Sequence, residues 1–100
     1  MLAVRAAQVR DPKLKDEALR SAKSACLNCA EGAGRFSPAD KARAFTIARG
    51  EACEAAAAIE IAAICGDVST EDARRIGRLA YELVAMLTAL IRRGAPRAFR

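Results

Sequence analysis

Two proline pairs, Asp11-Pro12 and Ser37-Pro38, constrain this chain most. A short polar side chain can accept hydrogen bonds from the free amides that open a helix. Proline in the next position loses nothing there and already has the helical φ. Each pair opens a long stretch without further proline. The first stretch runs to Gly32 and Gly34, the second to Gly66. A third start signal stands at Ser69 or Thr70, with Glu71 and Asp72 in the first turn. Its stop is Arg92, Arg93 and Gly94, with Pro96 beyond. Before Asp11, "MLAVRAAQV" reads as a short helical piece with no cap. The expectation is an all-α fold, an antiparallel up-down helical bundle of the four-helix-bundle type with a short first helix. It occupies residues 1–93 as one domain, followed by a basic tail at 94–100.

Composition agrees. Hydrophobic residues make up 53% of the 100 residues and aromatics only 4%, with no Trp and no His. Such a core must be built from Leu, Ile, Val and Ala, which suits closely packed helices better than a sheet sandwich. The segment opening at Pro12 carries Leu14, Ala18, Ala22, Ala25, Leu27 and Cys29 as its apolar side. The segment opening at Pro38 carries two apolar stripes. Phe45, Ala48, Ala52, Ala55, Ile59 and Ala62 form one. Ile47, Gly50, Ala57, Ile61 and Ile64 form the other. One stripe suffices for a helix in a small monomer. The second implies a subunit contact, so a homo-oligomer is expected.

The stretch "ACLNCAEGAGRFSP", residues 25–38, poses the question of chemistry. Cys26 and Cys29 have a metal or redox spacing, but a structural zinc site needs four ligands and the chain has no His. Cys53 and Cys65 lie twelve residues apart on one predicted helix, about 18 Å along its axis, too far to share one metal with the first pair. A redox pair sits at a helix N-terminus, where the dipole favours thiolate. This pair lies near a C-terminus, so both cysteines are read as small buried apolar residues. Gly32-Ala33-Gly34 lacks the lysine and the preceding strand of a phosphate loop. A helix end and a tight turn account for both glycines. No catalytic, cofactor or metal site is expected, and no enzyme.

Around this corner the residues resemble a known pattern. Asn28, Ala30, Glu31, Gly32, Gly34, Arg35 and Ser37 are followed by Phe45, Ile47, Ala48, Gly50 and Glu54. The stretch resembles the signature of a bacterial four-helix-bundle family. That family includes proteins encoded in intervening sequences of large-subunit ribosomal RNA genes and accessory variability-determinant proteins of diversity-generating retroelements. The chain departs from the pattern at Cys26, where the family has proline, and at Glu51, where it has serine. Its first helix is also shorter. The resemblance implies a ring-like homo-oligomer, a pentamer, acting beside a reverse transcriptase or in an RNA context.

Within the motif, Asn28 is read as a buried amide that sets helix register. Glu31 and Arg35 are spaced for a solvated pair, with an interhelical link from Glu31 or Glu54 as the alternative. Gly50, which costs about 1 kcal/mol in a helix interior against Ala, is read as a point of close helix approach.

Charge adds the partner class. The chain has net charge +5. Residues 1–35 and 67–100 each carry seven basic and four acidic groups, while residues 36–66 carry three and four. Lys41, Arg43 and Arg49 near one helix start, and Arg74, Arg75 and Arg78 near another, are candidate phosphate contacts. Arg74 and Arg75 oppose their own helix dipole, so local stability does not explain them. Such a surface would bind RNA or DNA without sequence preference and with strong salt dependence. A solvated face is the competing reading, in which the chain is a structural or protein-partner module that binds no nucleic acid. Arg92 and Arg93 are assigned to the favourable end of their helix dipole or to solubility. The longest apolar run, residues 83–91, is short of the roughly 20 residues of a membrane span. "MLAVRAAQVR" has no apolar run long enough for a secretory leader. A cytoplasmic protein with reduced cysteines, with no membrane partner, is therefore expected.

Overall fold

The computed structural model describes residues 1–94. The basic tail expected at 94–100 falls, beyond Gly94, outside them. The described residues form an all-α bundle of four helices: α1 (Leu2–Ala6), α2 (Pro12–Gly34), α3 (Pro38–Ile64) and α4 (Thr70–Gly94). The start signals act as their chemistry dictates. The Asp11 carboxylate accepts from the amides of Lys13 (2.9 Å) and Leu14 (3.1 Å). Ser37 Oγ accepts from the Asp40 amide and Ser69 Oγ from the Asp72 amide, each at 3.1 Å.

The stop of α3 is equally specific. Gly66 has φ +76°. Its amide donates to the Ala63 carbonyl at 3.1 Å, and the Asp67 amide donates to the Ala62 carbonyl at 2.8 Å. This paired 5→2 and 6→1 pattern satisfies carbonyls that the helix end would otherwise strand. Only glycine adopts that φ without strain.

The end of α2 differs from expectation. The helix runs through both Gly32 and Gly34, and neither has positive φ. Gly32 is there for space. A methyl group on it would stand 2.5 Å from the Phe45 ring, so its hydrogen lets that ring of α3 press against α2. Three residues, Arg35 to Ser37, then turn the chain into α3.

α3 is the central helix. α2 and α4 each pack along it, antiparallel to it, and make little contact with one another. The first stripe of α3 is the buried one: Phe45, Ala48, Ala52, Ala55, Ile59 and Ala62 are all in the core. At the end where α1 lies, Val4, Ala7 and Val9 close over Ala18, Ala55, Ile59, Ala62, Val68 and Ile76. At the other end a smaller cluster joins Phe45, Ala48 and Leu87, with Cys29, Leu83 and Ile91 against it. The backbone ties the α1 end shut: the Arg10 amide donates to the Asp67 carbonyl at 2.8 Å, and its guanidinium reaches the Gly66 carbonyl.

Two side chains assigned to the apolar interior lie outside it. Leu27 is exposed, because α2 turns that face to solvent, and Cys26 is exposed as well. Ser21 takes a core position instead, fully buried, with its hydroxyl turned back to Glu17 of its own helix at 3.5 Å.

Candidate nucleic-acid interface

The antiparallel course of α3 and α4 decides where the cations gather. Arg49 Nε donates to Thr88 Oγ1 at 2.9 Å, and Ile91 packs against the Phe45 cluster. The start of α3 therefore lies beside the end of α4. Lys41, Arg43 and Arg49 share this end of the molecule with Arg35, Arg92 and Arg93. Among the described residues, the acidic groups there are Glu31 and Asp40.

Each cation is held differently. Lys41 Nζ donates to the carbonyls of Gly32 (3.2 Å) and Ala33 (3.1 Å), so it caps the C-terminus of α2, where the dipole favours positive charge. Arg43 pairs with Asp40 one turn earlier at 3.1 Å. Arg35 pairs with Glu31 as the spacing predicts, both half exposed, and this hydrogen bond raises the guanidinium pKa further. Such exposed pairs contribute little to stability. Arg92 and Arg93 are exposed in the last turn of α4 and join no ion pair among the described residues. A shallow polar depression between α2 and α3, lined by Asn28, Glu31, Arg35, Asp40, Arg43 and Ile47, opens beside them.

Arg74, Arg75 and Arg78 lie elsewhere. Thr88, beside Arg49, is thirteen residues past Arg75, about 20 Å along the helix. The two trios are thus separate patches. In the second, Arg75 lies 3.8 Å from Glu71 and 3.9 Å from Asp72, while Arg74 and Arg78 join no ion pair among the described residues. The basic end was only half legible in the sequence. Arg92 and Arg93 belong to it because a hairpin of two long helices brings the end of one beside the start of the other. That pairing is the signal that places them.

The motif residues divide between packing and surface. Gly32 seats Phe45. Asn28 is half-buried, and its amide donates to the Ser24 carbonyl of its own helix at 2.9 Å, so it does not set the register of α2 against another helix. Glu54 makes the interhelical link, at 3.9 Å from Arg20 of α2. Beside it Ser24 hydrogen bonding pulls Glu51 below the usual carboxylate range, with Glu54 adding to it, while the hydrogen bond with Glu51 raises Glu54. Among the described residues, Gly34 and Gly50 face open space, and no helix approaches Gly50. The close approach expected there is absent from the monomer.

Burial raises the Cys29 thiol, with Cys26 adding to the effect. Among the described residues no group of three or more Cys, Asp or Glu side chains is placed to hold a metal ion. No helix among them is long and apolar enough to cross a membrane.

The family model described as "23S rRNA-intervening sequence protein" matches residues 4–89, which spans all four helices. The chain belongs to that family. The match runs well past the motif at the α2–α3 corner, so the family pattern includes most of α4. A search of curated proteins found no match.

Proposed function

We propose that this chain is a non-enzymatic, self-associating helical module whose basic end contacts RNA phosphates. The observation that carries the reading is the gathering of Arg35, Lys41, Arg43, Arg49, Arg92 and Arg93 at one end against two carboxylates. The family's tie to ribosomal RNA intervening sequences supports RNA as the polyanion. Lys41 and Arg49 are tethered to the fold, so their charge is presented at little further entropic cost. Contact would be chiefly to backbone, since Phe36 alone among the described residues offers an exposed aromatic side chain at this end for base stacking. Work in the cytoplasm, beside a ribosomal RNA or as an accessory to a reverse transcriptase, would use the same surface.

Self-association accounts for the second stripe of α3, which the monomer leaves exposed. The pentamer implied by the family resemblance is one closure of such a contact. The same exposed stripe favours a second reading, a protein-partner module with incidental positive charge.

Fluorescence anisotropy with a labelled single-stranded RNA and a labelled duplex separates the two. RNA contact predicts binding at low salt that falls linearly as log affinity against log salt. A slope near 4 corresponds to about four phosphates neutralised on the duplex and about six on the single strand. Absence of binding at low salt would leave the protein-partner reading.

A further inference from the structure

The corner between α2 and α3 carries a large side chain that the fold does not use. Phe36 is 99% exposed, more than any other large apolar residue described. Its neighbours do the structural work. Ser37 Oγ caps α3 through the Asp40 amide, and Lys41 caps the end of α2. Arg35 pairs with Glu31. Residues 33–39 are all exposed, and Phe36 is the one large apolar side chain among them. Arg35, which directly precedes the ring, also lines the polar depression between α2 and α3. That depression holds about 480 Å³ and is shared with Asn28, Glu31, Asp40 and Arg43.

We propose that the basic end takes an unpaired RNA strand, and that one base of that strand stacks on the Phe36 ring. This inference rests on the RNA-contact reading and narrows it from any polyanion to a single strand. Three observations carry it. The first is the company the ring keeps. An apolar protein surface docks on several contiguous large side chains. Phe36 has none beside it in the corner and stands next to Arg35 and the ionic lining of the depression. A single strand asks for this combination: one flat π face for a base, and cations for its phosphates. The second is presentation. The ring sits on a turn of three residues, with a helix cap at Ser37 and another at Lys41, so little chain freedom is lost when a base meets it. The third is what a duplex cannot offer. In an A-form helix the bases stack on one another and show only their edges, so the ring has no base face to cover. Charge alone favours the duplex, which carries more phosphate per unit length. A preference for the bases of a single strand therefore has to come from stacking.

The test compares two labelled strands of equal length by anisotropy. One is a single-stranded RNA, and the other has the same backbone with abasic sites in place of its bases. The variants are Phe36→Ala, Phe36→Leu and Phe36→Trp, all at a position outside the core, with helicity checked by circular dichroism. The unchanged protein should bind the RNA about five- to 150-fold more tightly than the abasic strand. Phe36→Ala and Phe36→Leu should lose that preference, while their affinity for the abasic strand and their salt slope stay as they were. Phe36→Trp should keep it. The chain has no other Trp, so the fluorescence of that variant gives a second readout. Saturating RNA should quench it, and the saturating abasic strand should not. Absence of binding to either strand at low salt would remove the RNA-contact reading and this inference together. Equal binding of the two strands by the unchanged protein, or a preference that survives Phe36→Ala, would overturn the stacking while leaving the phosphate contact standing. A preference lost in Phe36→Ala and kept in Phe36→Leu would overturn it as well, because an aliphatic side chain would then serve where a π face is required.

Discussion

The two ends of this bundle solve the same packing problem unequally. At the α1 end, three helices close over α3, and the core there is a continuous set of small apolar side chains around Ile59. At the other end only three helices meet, and a single ring, Phe45, fills the space between α2, α3 and α4. Alanine lets helices approach closely, so the first end gains its stability from many small contacts. The second depends on one large side chain and on one glycine that admits it. The difference teaches that the open end has less to lose from being a surface. The cations Lys41, Arg43, Arg92 and Arg93 are found there.

Substitutions at the two cores should break this comparison most sharply. Phe45→Ala should cost about 3–5 kcal/mol in urea denaturation, at the upper end for core truncations. Ile59→Ala should cost about 2–5 kcal/mol. The two should differ in hydrogen exchange. Loss of Phe45 should lower amide protection around residues 28–32 and 84–91 while residues 55–62 keep theirs. Loss of Ile59 should lower protection throughout. Equal loss at both ends in the Phe45 variant would mean that the bundle opens as one unit.

Gly32→Ala comes next. The added methyl meets the Phe45 ring at 2.5 Å, which should cost about 1–3 kcal/mol as overpacking. Combined with Phe45→Leu, the same change should cost much less than the sum of the two alone, because the clash is with the ring. Additive costs would show that Gly32 serves the backbone instead.

Much of this fold was legible because its signals are local. Asp11, Ser37 and Ser69 cap the helices they precede, and Gly66 ends α3, because caps depend on residues within one turn. The inward stripe of α3 was legible from its period. Other features depend on which helix passes nearby. Nothing in the sequence alone separates Gly32, pressed against a ring, from Gly34, facing open space. Leu27 and Cys26 share the composition of the buried side of α2 but lie on the part that no helix covers. The candidate site follows the same rule. Lys41, Arg43 and Arg49 were visible as a cluster along the chain. Their separation from Arg74, Arg75 and Arg78, and their union with Arg92 and Arg93, come from the antiparallel hairpin.

Smaller effects sharpen the picture. Asp11→Ala at one end and Ser37→Ala at the other should each cost about 1 kcal/mol, since both remove a cap and neither touches the core. A markedly larger cost for Ser37 would mean that the α2–α3 corner is less independent of its cap than α1 makes the opposite end. Cys29 should be the slowest of the four thiols to alkylate in the folded protein, because burial raises its pKa while Cys26, Cys53 and Cys65 are exposed. Mass spectrometry after timed iodoacetamide treatment reads this directly.

The most direct test of the account compares the two basic patches as RNA contacts. One variant carries Arg43→Gln, Arg92→Gln and Arg93→Gln, and the other Arg74→Gln, Arg75→Gln and Arg78→Gln. Both remove three charges. Anisotropy with the same single-stranded RNA, across a salt series, measures what each removal does. The account predicts that the first variant loses most of the affinity and lowers the salt slope by two or three, roughly one unit per phosphate contact. The second should lose far less, because it lies away from the end where Arg35, Lys41 and Arg49 add to the field of Arg43, Arg92 and Arg93. Equal losses, or a larger loss from the second variant, would contradict the placement of the interface at the open end.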